Sequence, residues 1–263
     1  MRNKQIIDQI ADVARTAGEF IRRERKRFDP EKIEYKGLND MVSYVDKNAE
    51  KMIVEGLQKI MPDAGFLTEE KTINKQGERF NWIIDPLDGT TNFIHGVPTY
   101  SVSIALQDDD ELIAGIVYEV NHDECFWAWK DQPAFLNGKE IKVSKAPAIA
   151  DSLLATGFPY YDFTKQTAYI NLFTELMREC HGLRRIGSAA VDLAYTACGR
   201  FDAFYEYNLN PWDVAAGVVI VRQAGGQVVN FKGGDEVLNT REVLATNGLI
   251  TNELLTTIEK YFK

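Results

Sequence analysis

Two aspartates follow an apolar run in the first half of the chain, and their surroundings could bind a metal ion or a phosphate. The segment NWIIDPLDGTTNF (81–93) carries Asp85 and Asp88 three residues apart, with a proline between them and Gly89 after them. Asp85 ends a run typical of a buried strand, where an uncompensated carboxylate is costly. A divalent cation, a phosphate group or a well-made proline–glycine turn could each explain the segment.

The glycine of this segment favours the cation. Without a Cβ, Gly89 lets the backbone amides of Gly89 and Thr90 approach an anion closely. Amides exposed beside carboxylates suit an anion only if a divalent cation lies between the two. Oxygen ligands of this kind suit Mg²⁺, which also takes phosphate oxygens of a substrate. Two such ions about 4 Å apart can hold the attacking and the leaving oxygen of a phosphoryl transfer.

Further carboxylates stand at the ends of predicted strands and at the starts of predicted helices. Glu69 and Glu70 follow the apolar run AGFL, and Asp46 lies in the first turns of the second predicted helix. Asp213 falls at the third position of a helix that begins after Asn210, so it could simply cap that helix.

A rival motif belongs to phosphatases of the haloacid-dehalogenase type, which carry D-x-D-G-T with the first aspartate as nucleophile. The segment here is D-P-L-D-G-T, one residue longer. Residues three apart in a regular strand point to opposite faces. This spacing argues against Asp85 as a nucleophile.

The elements that must position these residues follow from apolar periodicity. Helical spacing predicts an amphipathic first helix before the basic run RRERKR (22–27) and a second helix within 39–61. Three β-rich runs between residues 100 and 130 predict an antiparallel meander. After about residue 150, strands and helices alternate as in α/β layers.

Composition narrows the class of protein. The chain has 263 residues, of which 45% are hydrophobic, and 30 basic against 39 acidic side chains give a net charge of −9. Such an acidic surface argues against broad nucleic-acid binding, although not against phosphate substrates that bind with a divalent cation. No apolar run approaches the roughly 20 residues of a membrane span. The three cysteines lack metal-ligand spacing and favour reduced thiols, so we expect a soluble, cytoplasmic protein.

Four motifs together resemble those of the inositol monophosphatase family, within the superfamily of lithium-sensitive, magnesium-dependent phosphatases. They are TEE (68–70), WIIDPLDGTTNF (82–93), RRIGSAAVDLAY (184–195) and WDVAAG (212–217), in the family's order and over nearly the whole chain. Thr68 departs from the glycine of many members but leaves both glutamates intact. The resemblance implies a layered αβαβα sandwich of the α+β / α/β class and a homodimer.

Within this resemblance we expect one phosphatase domain with two lobes. The first lobe spans about residues 1–148 and is an α+β unit that carries most of the metal-binding motifs. The second spans about 149–263 and is an α/β unit that carries the substrate loop and the last metal-binding aspartate.

The resemblance also implies two or three magnesium ions in each active site. Glu69, Asp85 and the main-chain carbonyl of Leu87 would hold the first ion. Asp85, Asp88 and Asp213 would hold the second. Glu69 with waters could hold a third, weaker one.

Catalytic and phosphate-binding roles carry over in the same way. Asp46 and Thr90 would form a hydrogen-bonded pair that polarises the metal-bound water, and Glu70 would support the metal shell. The amides of Gly89 and Thr90 would receive the phosphate, beside Asp88.

The alcohol part of the substrate would lie against a second set of residues, and three cations are candidates near the cleft. The set consists of Gly187, Ser188, Ala189, Glu206 and Asp213. Lys36 would lie on an early strand near the metals. Arg184 or Arg185 could meet a second phosphate, or both could face water.

The predicted function is therefore a magnesium-dependent phosphomonoesterase acting on a small polyol phosphate, with myo-inositol 1-phosphate first and direct attack by water. Thr91-Asn92-Phe93 resembles the inositol type, since related bisphosphate and histidinol phosphatases tend to carry lysine or arginine at the second threonine. Fructose 1,6-bisphosphatase or dual sugar phosphatase activity is the alternative. A non-catalytic role in binding and regulating a partner is a third hypothesis, although the full set of carboxylates argues against loss of catalysis.

Overall fold

The computed structural model describes residues 2–28, 33–37, 40–158 and 162–262, with the backbone alone for residue 2 and for residues 33–37 and 40–42. Within these ranges the α-helices are α1 (Arg2–Arg25), α2 (Tyr44–Ile60), α3 (Thr90–His95), α4 (Gln166–Glu179), α5 (Ala189–Ala197), α6 (Pro211–Gln223), α7 (Val237–Thr240) and α8 (Thr251–Glu259). The strands are β1 (Ile33–Gly37), β2 (Asp40–Ser43), β3 (Gly65–Thr68), β4 (Phe80–Asp88), β5 (Ser101–Asp108), β6 (Glu111–Glu119), β7 (Glu124–Trp129), β8 (Ala134–Leu136), β9 (Lys139–Ile141), β10 (Leu153–Thr156), β11 (Gly182–Arg184), β12 (Ala203–Tyr207), β13 (Gln227–Val229) and β14 (Glu242–Thr246).

Two large mixed sheets organise the chain. The first has seven strands in the order β3-β4-β5-β6-β7-β8-β9, and the second has five in the order β11-β10-β12-β14-β13. In the first sheet β3 runs parallel to β4, and every later pair is antiparallel. The predicted meander is confirmed as β5, β6 and β7. Strands β1 and β2 form a separate antiparallel hairpin.

Side chains alternate between the two faces of the first sheet and so create two cores. Trp82 and Ile84 pack with α1 and α2, whereas Ile83, between them, packs with α5, α6 and the inner face of the second sheet. A third core joins the outer face of the second sheet to α4 and α8. The layers therefore run helix, sheet, helix, sheet, helix, which confirms the predicted αβαβα sandwich. The division into two lobes at about residue 148 stays a prediction.

One predicted element boundary is wrong in a way that matters for the site. The second helix does not begin near residue 39, because residues 40–43 form β2. It begins at Tyr44, after Ser43 as its N-cap: the Ser43 hydroxyl accepts a hydrogen bond from the amide of Val45, and Asp46 accepts one from the amide of Ser43. This reciprocal cap is a capping box, which fixes where α2 starts and where the Asp46 carboxylate lies.

Candidate active site

A cavity of about 440 Å³ lies where β3 and β4 end and where α3, α5 and α6 begin. Most of the predicted site residues line it: Glu69, Asp85, Leu87, Asp88, Gly89, Thr90, Arg185, Gly187, Ser188, Ala189, Glu206 and Asp213. Asp46 and Glu70 do not line it: Asp46 is hydrogen-bonded to Thr90, which does, and Glu70 follows Glu69 in the chain. Lys36 is on β1, but its side chain lies outside the described residues.

Asp85 and Asp88 face the same cavity because β4 is not a regular strand there. Asp85 pairs with Ser103 of β5 and Asp88 pairs with Ser101, so the two residues between the aspartates lie opposite a single residue of β5. This β-bulge adds one residue and returns Asp88 to the face of Asp85. The expectation that the two side chains point to opposite faces is therefore wrong, and this spacing supplies no argument against a nucleophilic Asp85.

A turn after the bulge brings the chain into α3. Gly89 is the N-cap of that helix at φ +93°, a left-handed conformation that favours glycine. A Cβ at this position would also lie 3.0 Å from the carbonyl oxygen of Thr99. The first N–H groups of a helix have no partner within the helix, so those that follow Gly89 are open to an anion.

Asp46 and Thr90 form the hydrogen-bonded pair that the family resemblance implies. Thr90 Oγ1 donates to Asp46 Oδ1 over 2.9 Å and also lies 3.0 Å from the carbonyl oxygen of Leu87. Asp46 Oδ2 accepts from the hydroxyl of Ser43 over 2.7 Å. Burial raises the pKa of Asp46, and the hydrogen bonds from Ser43 and Thr90 oppose that rise. The pair therefore links α2 to the loop that carries the aspartates.

Glu50, four residues after Asp46 on α2, holds the second acidic loop in a similar way. Its buried carboxylate accepts from the Thr68 hydroxyl over 2.9 Å, from the amide of Glu70 over 2.7 Å and from the amide of Thr72 over 2.7 Å. The sequence prediction missed Glu50. A carboxylate on the apolar face of a helix was its only signal.

Asp88 ties the first sheet to the start of α5. Its Oδ2 accepts hydrogen bonds from the Ser188 hydroxyl and, over 2.8 Å, from the amide of Ala190. Asn92 makes a second connection nearby, because its side-chain amide donates to the carbonyl oxygens of Thr99 and Ile186. The predicted substrate loop at residues 187–189 is therefore held against the aspartate loop.

Asp213 serves as a helix cap and also lines the cavity. Its Oδ2 accepts from the amide of Asn210 over 2.6 Å, and the two residues form a capping box at the start of α6. The capping interpretation and the metal-ligand interpretation are compatible, because the cap uses one oxygen of two. Pro211 at the first helical position leaves no amide without a partner there.

The wall opposite the aspartates carries Glu206 and Arg185. Glu206, on β12, is buried, and its carboxylate lies so close to Gly157 that a Cβ there would collide with it. The Arg185 guanidinium carbon lies 5.1 Å from the ring centre of Phe158 and faces the cavity. Arg184 does not line the cavity: it is exposed, and its guanidinium donates to the carbonyl oxygen of Leu183 over 3.0 Å.

Two further charged side chains that line the cavity were missed by the sequence prediction. Lys71 follows the paired glutamates and has a positive φ of 55°. Asp192 lies in the first turn of α5 and is 1% exposed. Burial raises the pKa of the Asp192 carboxyl well above its usual range, and the charges of Glu206 and Asp88 add to that rise.

The electrostatics of the aspartate wall fit a divalent cation. Burial, with the negative charges of Glu69, Asp88 and Asp213, raises the pKa of Asp85 well above its ordinary value. Burial raises the pKa of Asp88 to about 6 and that of Asp213 to about 7. Four mutually repelling carboxylates in one cavity favour a cation with oxygen ligands, as Mg²⁺ prefers.

The carboxylate oxygens of this wall are not arranged around one common position as the ligands of a single ion would be. Within the ranges described above, no three histidine, cysteine, aspartate or glutamate side chains approach one another as closely as ligands around an ion. Because like charges repel, carboxylates need a cation between them to come closer. The shared cavity and the mutual charge effects of these carboxylates still mark this wall as the place for a cation.

Comparisons with known proteins agree with this fold and site. The model of the inositol monophosphatase family matches residues 2–262. The Nus factor SuhB of Pseudomonas aeruginosa is 41% identical over 253 residues, covering 94% of this chain and 93% of that protein. The inositol-1-monophosphatase of Mesorhizobium japonicum is 36% identical over 261 residues, covering 99% and 98%.

Solved structures show the same architecture. The crystal structure of the extragenic suppressor protein suhB from Bartonella henselae superposes with a TM-score of 0.92 at 37% identity, covering 97% of this chain and 99% of that one. In the part of the chain that the structure describes, no helix combines the length and the apolar character of a membrane span.

Proposed function

Because the chain belongs to the inositol monophosphatase family of phosphatases, we propose that it is a magnesium-dependent phosphomonoesterase that hydrolyses a small polyol phosphate, first of all myo-inositol 1-phosphate. One observation carries the proposal: Glu69, Asp85, Asp88 and Asp213 line one cavity beside Thr90 and the open start of α3. This is a donor set for Mg²⁺ next to a site for a phosphate. The relative named inositol-1-monophosphatase supports the choice of substrate.

The carboxylates would hold the ions in the division that the family implies. Glu69, Asp85 and the carbonyl of Leu87 would bind one ion, Asp85, Asp88 and Asp213 a second, and Glu69 with waters a third. Bound Mg²⁺ neutralises phosphate charge and lowers the pKa of water at the reacting phosphorus. The remaining chemistry belongs to the side chains.

Thr90 and Asp46 would orient the attacking water and take its proton. Since the Thr90 hydroxyl donates to Asp46 Oδ1, its lone pairs are free to accept a hydrogen bond from water. As the water attacks phosphorus, its proton passes to Thr90 Oγ1 while the threonine proton moves to Asp46 Oδ1. Because burial raises the pKa of Asp46, its carboxylate accepts the proton from Thr90 more readily.

The substrate would lie between two walls. The amides at the start of α3 bind the phosphate oxygens, while Glu206 and the loop of residues 187–189 face the alcohol. We propose direct hydrolysis without a phospho-enzyme, because Asp85 and Asp88 are used as ligands and Asp88 Oδ2 is already engaged by Ser188 and Ala190.

Fructose 1,6-bisphosphate is the alternative substrate. Only Arg185 of the two arginines lines the cavity, and it lies near the carboxylates of Asp88, Asp192 and Glu206, where burial raises the pKa values and the charge of Arg185 partly opposes that rise. A cation already surrounded by carboxylates attracts a second phosphate weakly, which favours the polyol. The test is kcat/KM for the purified protein on both substrates. A preference of more than about tenfold for the bisphosphate would refute the inositol assignment.

A second, non-catalytic role is favoured by the relatives named Nus factor SuhB, which are 41% identical to this chain. We propose it as an addition to catalysis, since the acidic residues of the site are all present. A pull-down with the unmodified protein and with Asp85→Asn tests it. A partner retained by both proteins supports the role, and the absence of any specific partner contradicts it.

The cellular location and the oligomeric state of the protein are also proposals. We propose a cytoplasmic protein, supported by Cys125, Cys180 and Cys198, which are all free thiols. We propose a homodimer on the family resemblance alone, and sedimentation of the purified protein tests it.

A further inference from the structure

Asp192 is a buried carboxylate without a hydrogen-bond partner for one oxygen. It is 1% exposed, lines the cavity, and its Oδ1 contacts no donor among the described residues. Nearly all buried polar groups in folded proteins are paired, and an ionisable one without a partner is costly. The side chain therefore needs an explanation other than packing.

The hydrogen bonds at the start of α5 do not explain the buried carboxylate of Asp192. Ser188 caps the helix and accepts from the amide of Val191, and the amide of Ala190 is bound by Asp88. The helix is otherwise built of small and apolar residues that pack between the two sheets, Leu193 among them. A carboxylate in the first turn of α5 suits the helix dipole, but the dipole gives Oδ1 no hydrogen-bond donor, so this oxygen is left for a donor in the cavity.

The residues that line the cavity beside Asp192 indicate which chemical group its carboxylate would bind. After burial, the charge of Glu206 contributes most to the raised pKa of Asp192, and the charge of Arg185 partly opposes the rise at both carboxylates. The absence of a side chain at Gly157 leaves the space that the Glu206 carboxylate fills. Two carboxylates against one guanidinium leave net negative charge, which disfavours a second phosphate and favours groups that donate hydrogen bonds.

We propose that Asp192 binds a hydroxyl group of the substrate's alcohol part, as a second acceptor beside Glu206. The inference rests on the proposed function and sharpens it: the alcohol carries at least two hydroxyls besides the ester oxygen, one for each carboxylate. Asp192 is then a specificity-determining residue, which acts on the choice of alcohol and not on phosphorus.

The test compares phosphate esters that differ in their hydroxyls. We measure kcat/KM of the unmodified protein, Asp192→Asn and Asp192→Ala with Mg²⁺ on myo-inositol 1-phosphate and on phenyl phosphate, which has no hydroxyl. Loss of one charge-assisted hydrogen bond should lower kcat/KM about tenfold on the inositol ester, mostly through KM, and leave phenyl phosphate within about twofold. Asp235→Asn, whose side chain is 89% exposed, is the matched control.

Equal losses on both esters would overturn the proposal, because Asp192 would then act on the reaction or on the fold. Thermal unfolding decides independently of turnover. Because Asp192 Oδ1 has no hydrogen-bond partner, Asp192→Asn should have an unchanged or higher melting temperature, and a clearly lower one also overturns the proposal. If the unmodified protein releases phosphate from neither ester, the proposed function fails, and the melting temperature still decides on Asp192.

Discussion

Replacing Glu50 by glutamine tests whether α2 sets the geometry of the acidic loop that ends β3. All three groups around Glu50 are donors: the Thr68 hydroxyl and the amides of Glu70 and Thr72. Only a carboxylate offers acceptors on both sides. Glutamine keeps the volume but turns one oxygen into a donor, so the perturbation is confined to hydrogen bonding.

The size of the effect follows from the contacts. Glu50 Oε1 receives two hydrogen bonds and Oε2 receives one, so the glutamine should keep its oxygen at the first position and abandon the amide of Glu70. One lost bond to a charged acceptor costs roughly 1.5–3 kcal/mol. Outer-shell changes around metal ligands typically weaken metal binding 10–100-fold. Because Glu69 precedes the released amide, we expect about a tenfold rise in the magnesium concentration for half-maximal activity.

Two assays measure this change. A magnesium titration of phosphate release gives the half-saturation and the kcat at saturating metal, which should stay within about threefold of the unmodified protein. Calorimetric titration with Mg²⁺ gives the affinity without turnover. Glu55→Gln, at an exposed position of the same helix, is the matched control and should change neither quantity.

The reasoning is refuted if Glu50→Gln lowers the melting temperature while magnesium affinity is unchanged. Glu50 would then stabilise the fold without positioning Glu69. It is equally refuted if kcat collapses at saturating magnesium, since a displaced ligand should be rescued by more metal.

Other parts of the site make separate predictions. Thr90→Ala should lower kcat about 100-fold or more with little change in magnesium affinity, as measured by steady-state kinetics and calorimetry. A single turnover in oxygen-18 water should label phosphate, and label in Asp85 would instead indicate an aspartyl-phosphate. Burial raises the pKa of Asp88 to about 6 and of Asp213 to about 7, from an ordinary 3.8. Through these groups the protein in chelator should lose stability as the pH rises from about 4, near their ordinary pKa, to about 7, the pKa of Asp213 in the folded protein, and Mg²⁺ should raise the melting temperature more at the higher pH. Glu206→Gln should raise KM for myo-inositol 1-phosphate about tenfold and spare fructose 1,6-bisphosphate. Lithium should inhibit turnover.

Regular periodicity made most of the fold predictable. The helix predicted from the apolar spacing of α1 and the strands predicted from the β-rich runs of β5, β6 and β7 are present in the structure, because each element buries one face or both against a neighbouring layer. Helix-start residues were equally informative at α6, where Asn210 as N-cap and Pro211 at the first helical position mark the start. Short elements such as α3 and β11 were missed, because an element of three to six residues is too short to show a periodic apolar pattern.

The site was predictable in composition but not in geometry. Asp85 and Asp88 were assigned from their surroundings, yet their common direction depends on a bulge that an argument from regular strand alternation excludes. Glu50 and Asp192 were missed because their roles depend on contacts with distant segments. Asp192 lies in an otherwise apolar turn of α5 and Glu50 lies on the buried face of α2 with Ile53 and Leu57, and a carboxylate among apolar residues is a usable signal.

One measurement tests the central claim most directly: phosphate release from myo-inositol 1-phosphate by the purified protein in chelator, after addition of Mg²⁺, and with Asp85→Asn in place of the unmodified chain. The four carboxylates of the cavity predict no turnover in chelator, full recovery with Mg²⁺, and a loss in Asp85→Asn that magnesium does not restore. Full turnover in chelator, or an Asp85→Asn protein as active as the unmodified one, would contradict the assignment of this cavity as a magnesium-dependent phosphatase site.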